Sequence, residues 1–475
     1  MLPRPPHPRP SAAAIEKARS LLDRALGPSK VLADPAACAA YAGDESEQEP
    51  VVPDAVVLAS SPEDIALALA AANEAGVPIT PRAGGSGKSG GCVPVAGGIV
   101  LATHGLSSIV EIDREGLVAV VEPGVILADL HAAVEAEGLF YPPDPNSVKM
   151  CALGGNIAEN ASGPRCVKYG PTRDYVLGLD IVTMDGARIP TGKRTVKGVT
   201  GYDVTSLLVG SEGTLAVTTR ATLKLLPRPE TVATLLALFS DVNDCGAAVS
   251  AIVAHRLRPR CIELLDTTTL EAVRARGVPI DRRAGAMLLL EVDGSASACE
   301  EEMFRVGEVC TGAGALEVLA AQDAAQRERL WEARRMLSVA TRAMARFKIS
   351  EDVVVPRPRL PALLRSIAEI SERTSIRMLS YGHAGDGNLH VNLLWDDPDS
   401  APRVKTALES LFRAVIGMNG TLSGEHGIGC SKSEYLSLEQ PPSLIDLQLR
   451  LKSVFDPKGL LNPGKIFPRR GHGLC

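Results

Sequence analysis

Aromatic residues make up only 3% of this 475-residue chain, so its interior must be built from Ala, Val, Leu and Ile. No apolar run approaches the roughly 20 residues that a membrane-crossing helix needs, and the Pro- and Arg-rich N-terminus has no apolar signal core. These two absences lead us to expect a cytoplasmic protein, with peripheral attachment at the inner face of the membrane as the furthest departure. Positive charge is not concentrated anywhere. Lys and Arg number 50 against 56 Asp and Glu, a formal charge of −6, which argues against nucleic acid as a partner. Ten cysteines are scattered without any C-x-x-C pair, so neither a zinc ribbon nor an iron–sulfur cluster is expected.

What the chain does have is glycine, concentrated in Pro81-Arg82-Ala83-Gly84-Gly85-Ser86-Gly87-Lys88-Ser89-Gly90-Gly91. Backbone amides in such a loop can close around an anion, phosphate above all. Context excludes two familiar phosphate motifs. A nucleoside-triphosphate loop needs Gly five residues before Gly87-Lys88-Ser89, where Arg82 stands. The dinucleotide fingerprint is spelled by Gly85, Gly87 and Gly90, yet it requires a helix at the last glycine. Here Cys92 to Gly98 and a strand, Ile99 to Ala102, follow instead. The loop therefore lies between strands and must hold its phosphate with loop amides, without a helix dipole.

The length calls for two or three domains. Residues 1–50 read as an arm with one helix, Ala12 to Leu26. Residues 51–229 mix strands and helices: strand Val56 to Leu58, then a helix capped by Ser61 with Pro62 in its first turn and ending at Gly76. Strands and a helix from Ile126 to Glu137 follow the glycine loop. A second small-residue loop system spans Tyr141 to Ser147 and Leu153 to Gly163. A hairpin turns at Asp185-Gly186, and Pro227-Arg228-Pro229 closes the unit. From Thr231 the strand–helix alternation predicts a ferredoxin-like layered domain over 230–430, with one long helix from Asp323 to about Arg346. Residues 431–475 form a last segment.

Chemistry concentrates in two stretches, Tyr381-Gly382-His383-Ala384-Gly385-Asp386-Gly387-Asn388-Leu389-His390-Val391-Asn392 and Ser423-Gly424-Glu425-His426-Gly427. The first reads as strand, tight glycine turn and returning strand, which sets His383 beside His390. Two histidines and a carboxylate make a metal site with open positions that suits zinc, manganese or iron. Such a metal could acidify a substrate hydroxyl for a histidine base, or activate water for hydrolysis.

Pro81–Gly91, Gly154-Gly155-Asn156 with Asn160, Ser211-Glu212-Gly213-Thr214, His383 with His390, Ser423–Gly427 and Leu461-Asn462-Pro463-Gly464-Lys465 appear in that order. Together they resemble the FAD-linked D-2-hydroxy acid dehydrogenases, the group of D-lactate dehydrogenases and glycolate oxidase flavoprotein subunits within the vanillyl-alcohol oxidase / p-cresol methylhydroxylase superfamily. The likeness runs from about Val51 to Phe467. It implies an α+β fold in which a p-cresol methylhydroxylase-type FAD-binding domain precedes a ferredoxin-like cap and a C-terminal segment returns to the flavin. It assigns non-covalent FAD to Arg82, Gly84, Gly85, Ser86, Gly87, Asp144, Ser147, Gly154, Gly155, Asn156, Asn160, Gly163, Val217 and Asn462. By the same likeness the metal falls to His383, His390 and Glu425, the general base to His426, and the substrate to Arg334 and Asn392. Electrons would leave to a quinone, a cytochrome or an iron–sulfur subunit, and a homodimer is the assembly to test. One departure stands out. The lysine that receives a distal carboxylate in the D-2-hydroxyglutarate branch is replaced by Ser350, with Lys348 out of register, so D-lactate is expected ahead of a dicarboxylic acid.

Overall fold

The computed structural model describes residues 7–468, which divide into two compact units. One unit comprises residues 7–162, 171–228 and 425–468; the other comprises Gly163–Gly170 and Pro229–Gly424.

In the first unit, three parallel strands, Ala55–Leu58, Ile99–Ala102 and Ile79–Arg82, form a small sheet that Val31–Leu32 extends antiparallel. Helix Pro62–Ala75 begins where Ser61 Oγ accepts the Asp64 amide, and it ends at Gly76 in the left-handed region. Its Ile65, Ala68, Leu69 and Ala72 pack against Val57, Ile79 and Leu101, with Ala18 and Leu22 of helix Ala12–Leu26 behind them. Alanine at three of these positions, Ala18, Ala68 and Ala72, lets the elements approach closely, which is how the core forms with so few aromatics. Each fully buried Leu or Ile contributes about 1.5–3 kcal/mol. A five-stranded antiparallel sheet runs Ile109–Asp113, Val118–Val121, Val217–Lys224, Val176–Val182, Arg188–Gly192. Strand Val217–Lys224 alternates buried and half-buried along its whole length, as a one-sided strand must.

The glycine loop leaves strand Ile79–Arg82 and reaches strand Ile99–Ala102 without helix. The second small-residue stretch differs from the expected loop, because Leu153–Glu159 is helical. Gly154 serves packing: a Cβ there would lie 2.7 Å from Pro123 Cβ. Asn160 ends the helix in the left-handed region.

The second unit is a seven-stranded antiparallel sheet ordered Glu317–Ala320, Thr231–Phe239, Ala286–Gly294, Cys261–Leu265, Arg377–His383, Asn388–Trp395, Phe347–Val354. The first four strands have the ferredoxin-like order. Register fixes what each face carries, since residues directly opposite point the same way. Glu263 pairs with His383, Tyr381 with His390, Asn392 with Ser350, and His390 with Asp352. One face is therefore polar at its centre. Toward the strand ends the same face continues into an apolar cluster of Leu238, Leu265, Met287, Leu379 and Leu394, covered by Leu270, Val273 and Leu337. The expected long helix is two pieces, Ala324–Arg335 and Leu337–Arg342.

Candidate active site

The polar face of the seven-stranded sheet is held in shape by one carboxylate. Glu263 is completely buried; its Oε1 lies 2.5 Å from His383 Nδ1 and its Oε2 accepts from Arg334 Nε at 2.5 Å. Burial alone would raise this carboxyl, yet Arg334 and His383 hold it down at about 2. An ionised Glu263 on Nδ1 turns the opposite ring nitrogen of His383 toward any metal. The His390 ring stands edge-on to that of His383, 5.2 Å between centroids, and the ligand nitrogens of the two lie within 4.8 Å of each other. Strand, short turn and returning strand bring them together, with Gly387 in the left-handed region at the turn.

Arg334 is 2% exposed and lies over the Tyr381 ring. Burial would lower its affinity for the proton, but Glu263 outweighs this and raises it. With Nε committed to Glu263, Nη2 has no partner among the described residues. Asn392 is in the same condition: Nδ2 donates to the His390 carbonyl at 3.2 Å, while the buried Oδ1 has no partner among the described residues. A free guanidinium arm and a free amide oxygen in a water-poor setting are costly unless a ligand completes them.

Lys348 lies two residues before Ser350 on strand Phe347–Val354, opposite Leu394. It is buried, its Nζ donates to Thr341 Oγ1 at 3.0 Å, and strand alternation sets it on the same face as Ser350 and Asn392.

In the other unit, Ser162 Oγ donates to Glu425 Oε2 at 3.2 Å, and Glu425 Oε1 lies 3.8 Å from His426 Nε2. Behind them the buried Glu212 accepts the amides of Ile428 and Gly429, both at 2.7 Å. Burial pushes its carboxyl up against these two bonds. Asp352, buried on the sheet, likewise accepts Ser423 Oγ at 3.0 Å and the Gly424 amide at 2.7 Å.

The residues assigned to FAD fall into distinct roles. Arg82 spends one guanidinium nitrogen on the Gly43 carbonyl and on Cys92 Sγ, 3.2 Å away. Gly84 permits a backbone approach: a Cβ there would sit 2.6 Å from the Met150 carbonyl. Gly85 is left-handed, and a side chain would strike Arg82. Gly87 meets nothing nearer than Asp44 Oδ2 at 3.7 Å, and Ser86 beside it is half-buried, so this is the open part of the loop. Asp144 and Ser147 are half-buried, and the Ser147 carbonyl accepts the Met150 and Cys151 amides. Gly155 and Asn156 lie in helix Leu153–Glu159; Asn160 Oδ1 accepts the Arg173 amide. Val217 points into the hydrophobic core, and Gly163 belongs to the sheet unit. Asn462 Nδ2 holds the carbonyls of Gly91 and Glu212 at 2.9 and 2.8 Å, leaving a buried Oδ1 with no partner among the described residues. Lys465 Nζ holds the Val93 carbonyl at 2.7 Å. An open glycine loop for a pyrophosphate and an orphaned acceptor for a ring N–H fit a flavin dinucleotide.

Glu263, Asp352 and Glu212 escaped the sequence reading. Glu263 had one signal, a lone carboxylate inside the apolar strand Cys261-Ile262-Glu263-Leu264-Leu265. Glu212 lies in Ser211-Glu212-Gly213-Thr214, a segment that carries the resemblance but implies no role for its carboxylate.

No helix among the described residues is long and apolar enough to cross a membrane. Residues 53–192 match the family described as FAD binding domain, and residues 228–466 match FAD linked oxidases, C-terminal domain. The glycolate oxidase subunit GlcD of Bacillus subtilis is 42% identical over 435 residues, covering 90% of this chain and 92% of that protein. The D-lactate dehydrogenase of Archaeoglobus fulgidus is 36% identical, covering 86% and 90%. Among solved structures, p-cresol methylhydroxylase with substrate bound superposes with a TM-score of 0.81 at 16% identity, covering 96% of this chain and 97% of that one, a likeness of fold. Two family matches that between them take in the glycine loop, the histidine pair and Asn462, and relatives alike over nearly their full length, lead to one conclusion: the chain belongs to the FAD-linked oxidases.

Proposed function

We propose that the protein is an FAD- and divalent-metal-dependent dehydrogenase that oxidises a D-2-hydroxy acid, D-lactate in preference, to the 2-oxo acid. The observation that carries this reading is Arg334, buried, charged and with Nη2 unspent beside two adjacent histidines. A substrate carboxylate is what such an arm accepts. Asn392 Oδ1 offers an acceptor on the same sheet face. His383 and His390, with Glu425 as third ligand, would hold the metal, which supplies Lewis acidity toward the substrate hydroxyl. His426 takes the hydroxyl proton as general base. Bound FAD supplies the acceptor for the C2 hydrogen and its electron pair. The open part of the loop, Ser86 and Gly87, would receive the pyrophosphate, and Asn462 the ring.

Electrons then pass to an external quinone, cytochrome or iron–sulfur subunit. The likeness to a glycolate oxidase subunit supports glycolate as the alternative substrate, and the buried Lys348 supports one with a second carboxylate. The test is an anaerobic absorption spectrum of the purified protein with D-lactate, L-lactate, glycolate or D-2-hydroxyglutarate, before and after chelation. Bleaching of the flavin band by D-lactate, lost on chelation and restored by Zn²⁺ or Mn²⁺, is expected. Bleaching by glycolate or D-2-hydroxyglutarate alone reassigns the substrate. A flavin that no 2-hydroxy acid reduces overturns the reading.

A further inference from the structure

Glu425 and His426 lie in a glycine-rich stretch, Ser423–Gly429, whose backbone amides on both sides of the pair are held by side chains from elsewhere in the chain. Two buried carboxylates hold them, one from either side. Asp352, 0% exposed, takes Ser423 Oγ and the Gly424 amide just before the pair. Glu212, 6% exposed, takes the Ile428 and Gly429 amides just after it. Each end of the stretch is thus held by the unit to which it belongs.

Glu212 is itself rigidly placed. It is one of few non-glycine residues in the left-handed region, its amide donates to the Ala158 carbonyl at 2.8 Å, and its carbonyl accepts Asn462 Nδ2 at 2.8 Å. Gly427 between the two pins is left-handed too, and a Cβ there would strike Glu159 Oε2 and Glu212 Oε1. Strain of this kind persists only where surroundings over-determine it. From this geometry we infer that Asp352 and Glu212 are positioning residues for His426 and Glu425. They form a two-point carboxylate clamp that acts through the backbone of Gly424, Ile428 and Gly429. The inference rests on the roles proposed above for His426 and Glu425. Because small misplacements of a reacting group cost rate steeply, loosening either pin lowers turnover more than substrate affinity.

The test compares flavin-loaded wild type with Glu212→Gln, Asp352→Asn and Ser423→Ala. In Glu212→Gln the amide nitrogen of the new side chain faces a backbone donor, so one pin is lost without loss of volume. Ser423→Ala loosens the other pin from the loop side and leaves Asp352 beside His390 intact. Expected results are a fall in kcat of tenfold or more for the two carboxylate variants and a smaller fall for Ser423→Ala. KM should change less than threefold and flavin content should hold. Hydrogen exchange should quicken in the peptide carrying Ile428 and Gly429 for Glu212→Gln, and in that carrying Gly424 for Asp352→Asn. Unchanged kcat, or a loss confined to KM, overturns the inference. Should Glu212→Gln fail to fold, Ser423→Ala and Asp352→Asn decide by the same criteria. If wild type reduces no flavin with any 2-hydroxy acid, the proposed function fails, yet exchange still judges the clamp: unchanged protection in the variants overturns it.

Discussion

Replacing Glu263 by Gln gives the sharpest test of how the polar sheet face is built. The substitution keeps the side-chain volume and leaves an acceptor for His383 Nδ1, but it strands the Arg334 guanidinium, 2% exposed, without a counter-charge. Breaking a buried ion pair from one side costs about 3–5 kcal/mol, whereas replacing both partners by neutral groups is often close to neutral. For a unit of roughly 200 residues, each kcal/mol shifts the melting temperature by about 2–4 °C, so Glu263→Gln should lower it by roughly 10 °C. The assay is thermal unfolding of chelated protein followed by circular dichroism, with Arg334→Met and the double variant Glu263→Gln/Arg334→Met alongside. The double variant should recover most of the loss, because no charge remains stranded. A double variant that melts no higher than Glu263→Gln refutes the reasoning, since the cost would then lie in packing or in His383 rather than in an unpaired cation.

Other expectations follow from single contacts. Burial raises the Asp266 carboxyl to about 6 although the Thr269 and Ser380 amides oppose it. With the folded value above the ordinary 3.8, its contribution to stability is whole below that value and is lost as pH climbs through about 6. Asp266→Asn should therefore gain on wild type by on the order of 3 kcal/mol between pH 4 and pH 7, and urea unfolding that shows a pH-independent difference would refute this. Gly84→Ala pushes a methyl against the backbone at Met150 and Ala152; a loss of about 1–3 kcal/mol is expected, with a lower flavin-to-protein ratio, and full flavin content would contradict the close approach. His390→Ala should keep its flavin but weaken Zn²⁺ or Mn²⁺ binding by more than roughly 100-fold, because even outer partners of a metal ligand are worth 10–100-fold; unchanged affinity by calorimetry removes His390 from the ligand set.

Local chemistry made part of this architecture legible. The Ser61 cap, the Asp185-Gly186 turn and the glycine loop are written in adjacent residues, and the structure forms all three. Helix Leu153–Glu159 was not legible, because Gly154 and Gly155 are poor helix formers on their own, and the need for glycine at 154 comes from Pro123, about thirty residues earlier. Nor was the break at Met336, in a stretch with neither Gly nor Pro to announce it. The histidine pair could be read because only six residues, Ala384 to Leu389, separate its members. Glu263 meets His383 across 120 residues and Glu212 meets Ile428 across 216; only strand register and loop closure bring such partners together. Lys348 and Ser350 share a face by their spacing along one strand, but the burial of Lys348 against Thr341 depends on a neighbouring helix and is not written in that spacing.

The sheet unit is nested in the sequence of the other, which needs residues 425–468 to be whole. During synthesis the ribosome delivers every strand of the sheet, and the Lys168 and Tyr169 that bind Asp293 within it, before it makes Asn462 and Lys465. Those last two residues brace the Gly91 and Val93 carbonyls beside the glycine loop. A nascent chain stalled short of Asn462 therefore carries a finished sheet while the Gly91 and Val93 carbonyls still lack these two partners.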